Sequence, residues 1–319
     1  MREIVECVPN FSEGRRKDVI DQIAEAIAAV PDAQVLDVQS DADHNRSVVT
    51  FAGAPEAVEE AAFRGIEKAA ELIDMNLHRG EHPRMGAADV VPFVPIKNVT
   101  MEDCVAIARR VGERVGRELD IPVYLYEEAA TRPERRNLAD VRRGEYEGIK
   151  AEIAINPERE PDFGPRQVGK AGATAIGARP PLIAFNVYLG TDDVEIAQAI
   201  ARAVRHSSGG LRYVKALGLL VKGRAQVSMN LTDYRHTPVH RVVELIRREA
   251  QRYGVAVVES ELIGLIPNEA LVQAAEYYLQ LGSGFSSSQI LENRVAEVIQ
   301  ENLGELGGTM VSRFPGQGE

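Results

Sequence analysis

The sequence predicts an α/β protein built from two sequential α/β subdomains, each a mixed sheet covered by helices. Three observations carry this expectation. Short β-branched runs alternate with longer segments whose apolar residues recur at helical spacing. The alternation begins again after a break at Arg179-Pro180-Pro181. A chain of 319 residues, 45% hydrophobic and 27% charged, is long enough for two medium-sized cores. Residues 1–179 are therefore expected to form the first subdomain, residues 180–303 the second, and residues 304–319 a flexible tail. A cleft between the halves is the default position for a ligand.

In chain order, residues 4–8 read as a strand, and Val19, Ile20, Ile23, Ile27 and Val30 then mark a helix. Residues 35–38 and 47–51 read as strands joined by a polar connector, residues 40–46. Pro55 suits the first turn of a helix reaching about residue 77, because its missing N–H is unpaired there anyway. Residues 90–94 form a strand, with Pro92 pointing to an edge or a bulge. Thr100 caps a helix to about residue 119, and residues 123–126 return to strand. Residues 127–165 are rich in charge and proline, and read as partly helical followed by a long functional loop. The second half opens with a strand over 182–189 and a helix over 194–204. Residues 225–231 alternate with period two, as a half-buried strand does. Pro238 starts a helix to about residue 253, residues 255–258 form a strand, and helices from about Asn268 and Ser286 complete the fold.

A net charge of −11 and a pI near 5.2 argue against a nucleic-acid partner, which needs a basic face to displace counterions. An anionic small substrate remains compatible, because Arg84, Arg166, Lys170 and Arg179 can make one cleft positive in an acidic protein. Cys7 and Cys104 lie far apart outside any metal-ligand spacing, and read as buried free thiols of a reducing compartment. With no apolar leader and no apolar run near the roughly 20 residues that cross a bilayer, the expectation is a soluble cytoplasmic protein with no membrane partner.

Four clusters carry chemistry. In Gly80-Glu81-His82-Pro83-Arg84-Met85-Gly86 one of only six histidines sits in a loop, its backbone biased to extended conformations by Pro83. His82 is the first acid–base candidate, and a surface-loop histidine without a role is an equal alternative from spacing alone. His78 reads as a cation near a helix C-terminus. Asp41-Ala42-Asp43-His44-Asn45-Arg46 is either a divalent-metal site or a polar turn; turn or substrate contacts are favoured, with Arg46 able to clamp a carboxylate and a solvated surface arginine at least an equal alternative from the motif alone. The segment from Gly164-Pro165-Arg166-Gln167-Val168-Gly169-Lys170 through Ala171-Gly172-Ala173-Thr174 to Gly177 puts four glycines and two cations where backbone N–H groups can approach an anion or a flat ring. It is not a phosphate-binding GxxxxGK[ST] or GxGxxG loop, and a flexible linker is its alternative. The stretch His206-Ser207-Ser208-Gly209-Gly210 reads as a turn, and His236 and His240 as surface or capping residues.

These clusters, together with Glu6-Cys7-Val8-Pro9-Asn10-Phe11-Ser12-Glu13-Gly14, Asn45-Arg46-Ser47, Ala225-Gln226-Val227-Ser228-Met229-Asn230-Leu231 and Leu262-Ile263-Gly264-Leu265-Ile266-Pro267, resemble the formiminotransferase domain of glutamate formimidoyltransferases over residues 1 to about 303. The resemblance implies transfer of the formimino group of N-formimino-L-glutamate to tetrahydrofolate, a co-substrate, in histidine breakdown. It implies a homodimer, a ligand tunnel between the subdomains, His82 as acid–base, and a folate site lined by Phe163, Gly164, Pro165, Arg166, Gln167, Val168, Gly169, Lys170, Ala171 and Gly172. Asp43, His44, Asn45, Arg46, Arg84 and Arg179 are further candidate substrate contacts, and no metal is implied. Bifunctional relatives continue into a cyclodeaminase domain, an activity this chain is expected to lack. Some of them look to have a carboxylate where Gln39 stands here, leaving Asp41 or Asp43 to orient the imidazole. The alternatives are formyl transfer from 5-formyltetrahydrofolate to glutamate and a folate-binding protein without turnover.

Overall fold

The computed structural model describes residues 2–80 and 83–306. Its first half runs β1 (Ile4–Cys7), β2 (Asn10–Phe11), α1 (Lys17–Ala28), β3 (Ala33–Asp41), β4 (Arg46–Gly53), α2 (Pro55–Leu72), β5 (Ala88–Lys97), α3 (Met101–Glu118), β6 (Val123–Glu127), α4 (Leu138–Val141), α5 (Glu145–Glu152) and β7 (Thr174–Ala178). β3 pairs with β4; β1 and β2 lie end to end between β4 and β5; and β5, β7 and β6 run parallel, which makes this sheet mixed. Val5, Cys7, Phe51 and Phe93 face α1, α2 and α3 across the main core. Tyr124, Tyr126 and Ala175 face the other way, into a smaller core with Val141 and Ile149 from α4 and α5. Strands covered on both faces are apolar throughout, so β5 and β7 show no polar alternation.

The second half contains β8 (Ile183–Leu189), α6 (Val194–Val204), β9 (Val214–Val221), β10 (Arg224–Leu231), α7 (Val239–Arg252), β11 (Val257–Ile263), α8 (Asn268–Leu279) and α9 (Leu291–Leu306). Its sheet has the order β11-β8-β10-β9 and is antiparallel throughout, so the mixed pairing expected of both sheets is confined to the first. Lys222 and Gly223 both take positive φ, the two-residue turn that suits the twist of the β9–β10 hairpin. Val187, Val227 and Met229 pack against Ile200, Val242 and Ile246 of α6 and α7. α9 reaches into the segment expected to be a tail, and residues 307–319 lie outside the described residues.

The two sheets are tied along both flanks. Gln39 on β3 accepts a hydrogen bond from the Gly264 N–H just beyond β11 (3.0 Å). On the other flank Lys215 of β9 donates to Asn137 (3.1 Å) and lies 3.9 Å from Glu127 at the end of β6.

Several expected elements differ, each for a local reason. α2 stops at Leu72 because Lys170 donates to the Glu71 carbonyl (3.0 Å) and the Met75 N–H turns away to the Lys170 carbonyl (2.8 Å). Pro92 is in a central strand, neither at an edge nor in a bulge of its own. Its carbonyl accepts from Val8, so its missing N–H faces the Val8–Pro9 interruption between β1 and β2, where no ladder bond is lost. β7, expected as part of the glycine-rich loop, is the buried strand joining β5 to β6. β9 has no counterpart among the expected elements. β11 begins two residues late because the Val255 N–H is spent on the Ala250 carbonyl at the end of α7.

Candidate active site

The histidine loop is pressed between two other motifs at its glycines. A Cβ on Gly80 would stand 2.3 Å from the His44 carbonyl oxygen, and one on Gly86 would stand 2.0 Å from that of Ala173. Gly86 and Gly172 form a bridge, flanked by Ala87 N–H to the Ala171 carbonyl (2.8 Å) and Ala173 N–H to the Met85 carbonyl (2.9 Å). Gly172 has φ +77, a conformation that favours glycine. Ser12, just beyond β2, holds the same place, its hydroxyl donating to the Gly86 carbonyl at 2.7 Å. The turn at 41–46, the loop at 80–86 and the segment at 164–177 therefore meet at the start of β5. Glu81 and His82 lie outside the described residues, so the acid–base candidate is placed only through the neighbours on either side.

His78 is not the helix-end cation expected. It lies beyond α2, is 7% exposed, and has both ring nitrogens engaged. Nε2 is 2.9 Å from the Asn45 carbonyl, which can only accept, and Nδ1 receives Arg84 Nε at 3.3 Å. These two bonds select the neutral tautomer protonated at Nε2. Burial is the main cause that holds its pKa below the ordinary value, and the Arg84 charge acts in the same direction. Arg84, itself 7% exposed, donates to Glu145 (2.8 Å) and to both oxygens of Glu147 (2.7 and 2.6 Å). Its guanidinium is thus committed to the start of α5 and to His78.

The turn between β3 and β4 takes the form of the polar-turn alternative. Asp41 accepts from the His44 N–H at 2.8 Å and sits 3.1 Å from His44 Nδ1; these bonds lower its pKa against the opposing effect of burial. Asn45, at φ +49, accepts from Gly14 N–H (2.9 Å) and donates to the Arg79 carbonyl (2.9 Å), while Asp43 is exposed. Among the described residues no group of three or more His, Cys, Asp or Glu side chains could hold a metal ion. Arg46 donates to the Asn10 side-chain oxygen, and its Nε is buried with no partner among the described residues. Burial, then the nearby Arg142 charge, lowers its pKa to about 10, with Asp89 and Asp41 opposing. A narrow cleft lies beside it, lined by Phe11, Ser12, His44, Asn45, Arg46, His78, Arg84 and Asp89.

The expected folate segment is an ordered strap. The Phe163 ring lies on α3, 3.1 Å from where a Gly112 Cβ would stand, and Gly164 N is 2.5 Å from the corresponding Gly116 position. Pro165 and Val168 are half-buried; Arg166, Gln167, Gly169 and Lys170 are exposed; Ala171 is half-buried and Gly172 buried. Lys170 is spent at the end of α2, and Arg166 donates to the Ile153 carbonyl at 3.4 Å. Arg179 stands at the far end of β7, ~16 Å along the strand from Thr174, beside Glu6, whose pKa burial raises against the Arg179 charge. It is not part of the cluster at the start of β5.

His78, Asp89, Arg142 and Ser12 were missed as site residues by sequence reasoning. Only Asp89, a carboxylate opening the apolar run of β5, carried a signal. Its Oδ1 accepts from Met85 N–H at 2.8 Å and its Oδ2 from Arg142. Cys7 and Cys104 are buried free thiols as expected. Residues 206–208 form a 3-10 turn; His236 pairs with Asp233 (2.7 Å) and His240 stacks on Tyr277 at 4.5 Å.

Residues 4–179 match the N-terminal subdomain of the formiminotransferase domain, and residues 184–317 match the formiminotransferase domain itself. A glutamate formimidoyltransferase of Thermoplasma acidophilum is 54% identical over 295 residues, 92% of this chain and 97% of that one. One from Streptococcus pyogenes serotype M1 is 50% identical over 298 residues, 92% of this chain and 99% of the relative. The formimidoyltransferase-cyclodeaminase of Mus musculus is 47% identical over 87% of this chain, which spans 53% of that longer protein.

Proposed function

The chain belongs to the formiminotransferase domain family, and we propose that it is a glutamate formimidoyltransferase that moves the formimino group of N-formimino-L-glutamate to N5 of tetrahydrofolate. The observations that carry the site assignment are the Gly86–Gly172 crossing, which sets the His82 loop against the expected folate strap, and the close approach of Gly80 to His44 in the Arg46 turn. In the reaction N5 attacks the amidine carbon and forms an N–C bond. The N5 proton leaves, the bond from that carbon to the glutamate nitrogen breaks, and the nitrogen takes up a proton. The products are 5-formimidoyltetrahydrofolate and L-glutamate. One imidazole that accepts the first proton and delivers the second serves both steps, and this is the role proposed for His82. The chemistry so drawn calls for positioning and charge complementarity, and for no metal or redox cofactor.

Residues 163–172 are proposed to bind the pterin and its appended ring in a ligand tunnel between two subdomains, 1–179 and 180–303, a reading supported by contacts that join the two sheets at Gln39 and Lys215. Gln39 is engaged by Gly264 and is therefore not assigned to orient the imidazole. Among the described residues no helix is long and apolar enough to cross a membrane, in keeping with a cytoplasmic enzyme. Leu271, Tyr277, Leu279 and Leu291 on α8 and α9 are about half or more exposed, and support a homodimer through this end of the molecule. His82→Ala should remove most transfer while leaving folate affinity within roughly a few-fold, as for a group acting mainly in the transition state. Unchanged turnover would eliminate the proposed role.

A further inference from the structure

We propose that Arg46 is the residue that binds a glutamate carboxylate in this site, and that Arg142 makes this possible by neutralising Asp89, the carboxylate that shares the cleft with Arg46. The inference rests on the formimidoyltransferase reading and assigns individual roles within it. The cations of the site differ in what they have left to offer. Arg84 is saturated by Glu145, Glu147 and His78, Lys170 caps α2, and Arg179 stands at the other end of β7. Arg46 and Arg142 each keep a buried Nε with no acceptor among the described residues, and of the two Arg46 is the one that lines the cleft. A buried donor without a partner is costly, and a native structure normally supplies one.

The charge balance points to an anion as that partner. Asp89 also lines the cleft, but its two oxygens are occupied by Met85 N–H and by Arg142, which is 16% exposed. The other charge acting on Arg46 is Asp41, which is 48% exposed, hydrogen-bonded to His44 and screened by solvent. With Asp89 paired to Arg142 and Asp41 partly solvated, the half-buried Arg46, which donates to Asn10, has no ion pair of its own among the described residues at the cleft wall. The space beside it, about 10 Å³, has room for one water-sized group. A single carboxylate oxygen fits it, with the rest of the ligand outside. Glutamate carboxylates occur in the formimino donor and in the tail of the folate, and the chemistry of recognition is the same for both.

The test measures binding of glutarate and of L-glutamate by titration calorimetry, and steady-state KM and kcat, for the wild type and for Arg46→Met, Arg46→Lys, Arg142→Met and Asp89→Asn/Arg142→Met. KM is taken for formiminoglutamate, for tetrahydrofolate and for tetrahydropteroate, which lacks the glutamate tail. Arg46→Met should weaken carboxylate binding about 10- to 100-fold, the range for a hydrogen bond to a charged group, with kcat changed far less. Arg46→Lys should restore only part of it, because lysine lacks the fork. Arg142→Met should weaken binding by exposing the Asp89 charge, and the double variant should recover it. A KM effect confined to formiminoglutamate identifies the donor's carboxylate. An effect on tetrahydrofolate but not tetrahydropteroate identifies the folate tail, and either supports the proposal. Unchanged dicarboxylate binding in a folded Arg46→Lys variant, or no recovery in the double variant, overturns it. Calorimetry needs no turnover, so a protein that binds glutarate through Arg46 yet transfers no formimino group would fail the functional reading alone.

Discussion

Adding one methyl group at Gly172 should unlock the crossing on which the site is built. Gly172 has φ +77, and a Cβ there would lie 2.4 Å from the Met85 carbonyl oxygen and 2.6 Å from Gly86 Cα. Holding a residue with a side chain in the left-handed region costs about 1–2 kcal/mol. Relieving the overlap means separating the strap from the loop, which breaks the Ala87–Ala171 and Ala173–Met85 hydrogen bonds, each worth about 1 kcal/mol. Gly172→Ala should therefore destabilise the protein by about 3–4 kcal/mol and lower Tm by roughly 5–10 °C. Gly169, three positions earlier in the same strap, is the internal control. A Cβ there meets nothing within 4 Å and its φ is not positive, so Gly169→Ala should stay within about 0.5 kcal/mol of wild type. Urea denaturation of the two variants, read by circular dichroism, measures the difference. If Gly172→Ala and Gly169→Ala melt within about 1 °C of each other, the crossing is not the constraint described here.

Other expectations concern the buried polar chain beneath the loop. Arg84→Met should cost about 2 kcal/mol rather than the 3–5 of a fully buried pair, because Glu145 and Glu147, at 43% and 60% side-chain exposure, return to water. Thermal melts with a Glu147→Gln partner variant report it. The hydrogen bonds from Arg84 hold Glu147 at about 2, so its contribution is fully present above the ordinary carboxylate range and is lost as pH falls toward 2. A wild-type stability profile between pH 5 and 2 that is no steeper than that of Glu147→Gln would refute this. His78 is depressed by burial: the unfolded chain binds its proton first, so stability is full above about 6.5 and declines as pH falls through the folded pKa. Resonances of His78 that titrate at or above the free-histidine value would contradict the bonding described. Thr100→Ala removes the capping box with Asp103 and should cost about 1 kcal/mol without affecting turnover.

Much of the framework could be read from the sequence where a local signal and the tertiary outcome agree. The α3 start was legible because Thr100 and Asp103 cap each other whatever surrounds them. α6 was legible to the residue because Asp193 and its apolar stripe both act within the helix. β7 was not, because a short parallel strand buried on both faces and rich in alanine and glycine has no alternation to distinguish it from a loop. Pro92 misled because its tolerance comes from a gap in the neighbouring strands, a property of the partner and not of β5. In the site, the motifs were recognisable but the allocation of charge was not. Arg84 and Arg46 look alike in sequence, and only packing shows that one is saturated and the other is left with a free donor. His78 and Arg142 stood in segments whose composition gave no sign of burial against Asn45 or Asp89.

The most direct test is the rate of 5-formimidoyltetrahydrofolate formation from formiminoglutamate and tetrahydrofolate, with 5-formyltetrahydrofolate plus glutamate as the competing pair. Rapid formimino transfer, abolished by His82→Ala with folate still bound, is the result expected. Formyl transfer alone, or tight folate binding with neither reaction, would contradict the account.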